Sequence, residues 1–191
     1  MRLKTLLAAG LLALSSSTWA TVEKYAIDIP GQHAFIQFKI QHLGYSWLLG
    51  DFRKFDGSFV YDTDDASNSS VNVIVDTTSL DSNHAERDKH LKGKDFLDVK
   101  QFPKAIFTST NVSNNSDGSM TITGELELHG VKKQIEIEAH KIGRGADPWG
   151  GFRAGFEGTT TLKLADFGMT TNLGPASTHV QLNLFIEGVR Q

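Results

Sequence analysis

Hydrophobic and polar positions alternate with a period of two along most of this chain, most plainly from His33 to Tyr61. Ala34, Ile36, Phe38, Ile40 and His42 fall on one face of a first run, with His33, Phe35, Gln37, Lys39 and Gln41 on the other. Ser46, Leu48, Gly50 and Phe52 share a face of a second run, and Phe55, Gly57, Phe59 and Tyr61 a face of a third. Gly50 and Gly57 sit inside these runs, where a missing side chain marks a bend, a bulge or a close approach. Curved antiparallel strands are predicted, and a curved meander closes into a barrel more readily than it stays open.

The same pattern continues on both sides of this stretch. Tyr25 opens a short strand that ends before a Pro30-Gly31 turn, and the polar segment after Tyr61 reads as an exposed loop. Val71 to Thr78 is a β-branched strand. Asp81-Ser82-Asn83 then offers a cap for a polar helix in HAERDKHLKG, which Gly93 would end. With Leu91 as its main apolar residue, that helix is expected across one end of the sheet structure and not inside it. Further strands are predicted over Ala105 to Thr110, from Met120 to Leu128 after an Asp117-Gly118 hairpin, over Gln134 to His140, from Phe152 to Leu164, and over Val180 to Glu187. Ile142 to Gly151 reads as a glycine-rich loop. About eight strands and one clear helix predict an all-β fold, and eight is the barrel size that is either filled by side chains or holds one small ligand.

Composition narrows the compartment and the partners. Arg2 and Lys4 precede an apolar run from Leu6 to Leu14 and small residues ending at Ala20, the pattern of a cleaved signal peptide over residues 1–20, with one domain over 21–191. The run is too short for a membrane span, which needs about 20 residues. An exported protein that does not span the membrane is expected. Removing Arg2 and Lys4 moves the formal charge from −3 to −5, a balance that disfavours nucleic acid and anionic membrane surfaces as main partners. There is no cysteine, which excludes thiol nucleophiles, disulfides and cysteine-ligated clusters.

Candidate chemistry is sparse. The seven histidines show no zinc-site spacing, and the i,i+4 pairs His84/Asp88 and Glu86/His90 are commonplace on a solvated helix, so no metal and no cofactor are implied. Nucleophile-elbow and phosphate-loop motifs are both missing. His42 ends an apolar stripe and would orient a polar group there, although such a histidine is more commonly a hydrogen-bonded rim residue. Arg144 and Arg153 flank the glycine-rich loop. Phe38, Phe52, Phe59, Phe107 and Phe156 have inward parity, and the inward glycines Gly50, Gly57, Gly124 and Gly158 are expected to leave volume opposite them.

HAFIQFKIQHLGYSWLLGDFRKFDGSF, DTTSLDSNHAERDKHLKGKDFLDVKQFPKAIFTST and LHGVKKQIEIEA, with the closing strand, resemble the YceI family (UPF0312) of bacterial periplasmic proteins. The likeness covers essentially all of the chain after residue 20, and RDKHLKGKDFLD is its most specific segment. It implies an eight-stranded antiparallel lipocalin-like barrel, with one or two short helices across an opening, around a long hydrophobic cavity. It also implies a polyisoprenoid or another long-chain amphiphile as ligand, and no catalytic constellation. Arg87, Asp88, His90 and Leu91 match its most recognisable motif.

Ile36, Phe38, His42, Leu48, Phe52, Phe59, Phe107, Leu126, Phe156 and Leu182 are therefore expected to line the cavity. Since a charged head group loses far more than a tail gains if it is buried unpaired, the head belongs at the mouth. Arg87, His90, Arg144 and Arg153, with His42, are the candidates to meet it. The expected role is a periplasmic lipid-binding protein in isoprenoid transport, storage or stress response. The alternatives are an enzyme acting through His42 or the His84–His90 segment, and an interaction module with a filled barrel. The sequence does not set the oligomeric state, and a homodimer is one option.

Overall fold

The computed structural model describes residues 22–191. The predicted signal peptide lies outside the described residues. Eleven strands occupy eight positions of one antiparallel meander. The reason is that three positions are broken in the middle. β1 (Glu23–Ile27) and β2 (Phe35–His42) both pair with β11 (His179–Arg190), Tyr25 opposite Arg190 and Ile36 opposite Leu184. β3 (Ser46–Phe52) returns along β2, and β4 (Phe55–Tyr61) continues it along β1. β5 (Ser70–Asp76) pairs with β4, and its continuation β6 (Leu80–Asp81) pairs with β3. β7 (Lys104–Asn114), β8 (Met120–Leu128), β9 (Val131–Ala146) and β10 (Phe152–Lys163) carry the sheet round to β11, which closes the barrel on β1.

Two of the three breaks are stitched together by hydrogen bonds. The Arg53 N–H donates to Ser79 O and the Lys54 N–H to Ser79 Oγ, while the Asp76 N–H donates to Lys54 O. The interrupted backbone groups thus keep hydrogen-bond partners. A crease forms across the wall, and above it β6 pairs with β3 alone, leaving an edge beside the segment that carries α1.

The helix α1 (Ala85–Leu91) ends at Lys92, just before Gly93, but its cap differs from the expected Asp81-Ser82-Asn83. His84 is the N-cap, and its Nδ1 accepts from the Arg87 N–H at 3.2 Å. Ser82 serves instead as the anchor. Its N–H donates to Asp88 Oδ1 at 2.8 Å, and its Oγ and carbonyl accept from the Arg87 guanidinium at 2.8 and 2.5 Å. Arg87 and Asp88 therefore fasten the helix to the chain that enters it. Among the described residues, no helix is long and apolar enough to cross a membrane.

The glycine-rich loop is shorter than its composition suggests. β9 runs on to Ala146, and Gly143 and Gly145 pair with Gly155 and Arg153 of β10. Only residues 147–151 turn, held by the Asp147 carboxylate accepting from the N–H groups of Trp149 and Gly151 at 3.0 and 2.7 Å. The hydrogen-bonding demand of β10 overrides the local flexibility of the glycines.

Candidate lipid cavity

Inward positions of all eight wall segments build an apolar interior with two lobes. The lower lobe, about 160 Å³, is bounded by Ile27, Phe59, Val71, Phe107, Ile137, Phe156 and Ile186 among others. The upper lobe, about 380 Å³, is bounded by Phe38, Leu48, Phe52, Leu80, Leu128, Leu162 and Leu164 among others. Ile36, Val75, Ala105, Leu126 and Leu182 belong to both. The upper lobe alone falls within the roughly 300–1,000 Å³ typical of ligand pockets. Along β11 the lining runs from Val180 to Ile186, about 20 Å at the usual rise per residue. The interior is elongated and is not filled by side chains.

All ten residues expected on the cavity wall line one lobe or both: Ile36, Phe38, His42, Leu48, Phe52, Phe59, Phe107, Leu126, Phe156 and Leu182. The inward glycines need a correction. A Cβ on Gly50 would overlap the Phe38 ring, and one on Gly124 would meet the Phe107 ring at 2.6 Å. These glycines seat the protein's own aromatic rings. Gly57 instead lies against the backbone of β5, and only Gly158 of the four borders a lobe. Sequence parity missed a second part of the lining. Leu43, Phe96, Leu97, Met169, Leu173 and Ser177 come from loops, where no alternation signals direction.

The two ends differ. At the floor Tyr25 stacks on Phe59 with centroids 4.8 Å apart, and Phe156 meets Phe59 and Tyr61 edge-on at 5.5 and 5.1 Å. Beyond Tyr25 the buried Glu23 carboxylate accepts from the Tyr25 hydroxyl at 2.5 Å, from Arg144 at 2.7 Å and from Arg190 at 2.7 Å. Burial pushes this carboxyl up, but the hydrogen bonds from Tyr25, Arg144 and Arg190 outweigh it and hold it at about 2. Both guanidiniums lie over the Phe152 ring, so the polar plug is itself capped by an aromatic.

At the upper end His42, Leu43 and His90 are exposed and line the lobe, so the cavity reaches the surface there. Arg87, His90 and Leu91 share one face of α1, at the i, i+3 and i+4 spacing, and that face borders the opening. Arg87 forms no ion pair among the described residues, and its guanidinium bonds are to the neutral Ser82. His90 packs edge-on against Phe96 at 5.0 Å.

Two of the expected head-group residues lie elsewhere. Arg144 is at the floor, bound to Glu23. Arg153 is held by Asp28 and Glu187 at 2.6 Å each and by Asp147 at 2.8 Å. The expectation placed the glycine-rich loop beside the mouth, whereas the meander carries the β9–β10 turn to the opposite end from the β2–β3 turn. The Asp28 carboxyl is held at about 2, chiefly by His33, with burial opposing and Arg153 and the Gly31 N–H assisting. Asp28, His33 and Glu187 bring three ligand atoms within 4.8 Å of one another, but the Arg153 guanidinium already occupies the space between both carboxylates.

The histidines of the enzymatic alternative are not assembled into a constellation. His84 Nδ1 is committed to the helix cap and His90 to Phe96, and no hydrogen bond joins either of them to His42 among the described residues. General acid-base work needs at least two groups within reach of a shared atom.

Residues 25–188 match the model of a YceI-like domain. The chain is 53% identical over 188 residues to the UPF0312 protein YE1254 of Yersinia enterocolitica, covering 98% of this chain and 97% of that one. Burkholderia cenocepacia BcnA superposes with a TM-score of 0.74 at 20% identity, over 84% of this chain and 98% of that one. The Campylobacter jejuni YCEI protein does so with a TM-score of 0.71 at 26% identity, over 80% and 91%. A polyisoprenoid binding domain from Saccharophagus degradans shares the fold with a TM-score of 0.63 at 14% identity, over 90% and 100%.

Proposed function

Since the chain belongs to the YceI-like domain family, we propose that it is a periplasmic binding protein for one long-chain lipid of the polyisoprenoid class, serving transport, storage or a stress response. One observation carries the reading: an elongated apolar interior with an aromatic floor at one end and an opening bordered by Arg87, His42 and His90 at the other. Each methylene removed from water into such an interior gains about 0.8 kcal/mol, so affinity grows with tail length until the chain meets the floor. A charged head group stays beside Arg87, whose guanidinium forms no ion pair among the described residues. The Saccharophagus degradans domain supports the reading at the level of the fold. Export is supported by Arg2, Lys4, the Leu6–Leu14 run and Ala20.

Native mass spectrometry of the protein purified from cells tests the proposal. The expected result is a mass increment that disappears on solvent extraction and returns on incubation with a polyprenol. Protein that emerges free of lipid, and that takes up neither a polyprenol nor its pyrophosphate, would overturn it.

A further inference from the structure

The β2–β3 hairpin turns beside the cavity mouth and carries apolar side chains that the barrel leaves uncovered. Tyr45 is 88% exposed, Leu49 60%, Leu43 56% and Trp47 54%. Leu43 is both exposed and part of the upper-lobe lining, so whatever covers the tip also meets the opening. Leu43 has φ 52 and Gly44 φ 82, left-handed values that Asn or Gly would adopt at less strain. The turn thus holds a leucine outward where local backbone preference argues against one.

We infer that this hairpin tip docks on the surface of an anionic phospholipid bilayer and holds the cavity mouth against it, so that a lipid passes between bilayer and barrel without crossing water. The inference rests on the lipid-binding reading above. Tyr and Trp suit the membrane interface, where one end of the ring is apolar and the other wet. Lys39 lies over the Trp47 ring at 4.2 Å, an ammonium held at the level where lipid phosphates would lie. Lys89, Lys92 and Lys94 of the neighbouring α1 segment are in no ion pair among the described residues.

Charge sets the orientation. Although the chain after residue 20 is acidic as a whole, the charge is uneven: the floor loops 62–69, 115–119 and 147–151 carry Asp62, Asp64, Asp65, Asp117 and Asp147 and neither Lys nor Arg, whereas residues 82–103 beside the mouth carry Arg87, Lys89, Lys92, Lys94 and Lys100 against Glu86, Asp88, Asp95 and Asp98. An anionic surface repels that end and accepts the mouth. A second copy of the chain, the other occupant such an apolar tip would suit, explains neither this polarity nor the coincidence of tip and opening.

Flotation of the protein with phosphatidylcholine vesicles, with and without phosphatidylglycerol, provides the test. Binding should require phosphatidylglycerol and weaken with salt. It should fall at least tenfold in Tyr45→Ser/Trp47→Ser and about fivefold in Lys89→Ala. In a Trp149→Phe background, Trp47 emission should shift to the blue and be quenched by brominated acyl chains. Loading from a detergent-dispersed polyprenol, without vesicles, separates the two readings. Loading that persists without vesicle binding, or vesicle binding that the double variant leaves unchanged, would overturn docking and spare the lipid-binding proposal. Vesicle binding without any loading would overturn the lipid-binding proposal, and with it the passage of lipid between bilayer and barrel. A drop in solution mass from dimer to monomer in the double variant, with flotation unaltered, would assign the tip to a copy-to-copy interface and overturn docking.

Discussion

The ring of Phe38 rests on the bare Cα of Gly50, its partner across β2 and β3, so closely that a Cβ at position 50 would overlap ring atoms Cζ and Cε1. Glycine is there for the ring, which lines the upper lobe. Gly50→Ala should therefore destabilise the protein by about 1–3 kcal/mol through overpacking. Phe38→Leu combined with Gly50→Ala should recover part of that loss, since the shorter side chain vacates the contested space. Urea unfolding of the two single variants and the double variant checks both statements.

Retention of the tail and selection of the head should separate by residue. Phe38→Asp places a charge among apolar walls and should abolish retention of a polyprenol and of its pyrophosphate alike. Arg87→Ala should leave polyprenol affinity within about twofold while weakening the pyrophosphate about 10- to 100-fold, the size of one lost charge-assisted hydrogen bond. Titration with the alcohol and pyrophosphate of equal chain length measures both.

Acid should loosen the floor before the walls. Glu23 and Asp28 are both held at about 2, below their ordinary values of 4.5 and 3.8. A carboxyl whose pKa is depressed by folding contributes stability that is complete above the unfolded value and is lost as the pH falls towards the folded one. Melting temperature should thus be flat above about pH 5 and decline from there towards pH 2. Glu23→Gln should melt lower at neutral pH yet show a shallower acid decline, because the group that must be protonated is gone.

Leu43 offers a gain in stability. Replacing it with Asn, which tolerates the left-handed region, should stabilise the protein by about 1 kcal/mol in spite of the smaller side chain, because little of Leu43 is buried to be lost. Thermal unfolding of Leu43→Asn beside Leu43→Ala, which keeps the strain, isolates the backbone contribution.

Which residues face inward was legible in the sequence wherever strands alternate, because a period of two leaves only two faces and the apolar face must be buried. Ile36, Phe38, Leu126 and Leu182 are found on the wall for that reason. Elements at the barrel ends were less legible. Leu43, Leu97 and Leu173 reach the lining from turns, where neighbouring residues carry no directional rule. Gly143 and Gly145 read as loop because composition reports what a backbone tolerates, whereas pairing with β10 decides what it does.

The sequence by itself determined the class of fold, the inward face of each strand and the family, since these depend on local alternation and on motifs contiguous in the chain. Tertiary structure alone decided which end of the barrel each loop occupies. It therefore decided that Arg87 borders the opening while Arg144 and Arg153 are neutralised by Glu23 and Asp28, more than a hundred residues away in sequence. The physical reason is that a cation's role depends on which carboxylate lies within a few ångströms, and that distance is set by the closure of β11 on β1, which no local stretch of the chain encodes.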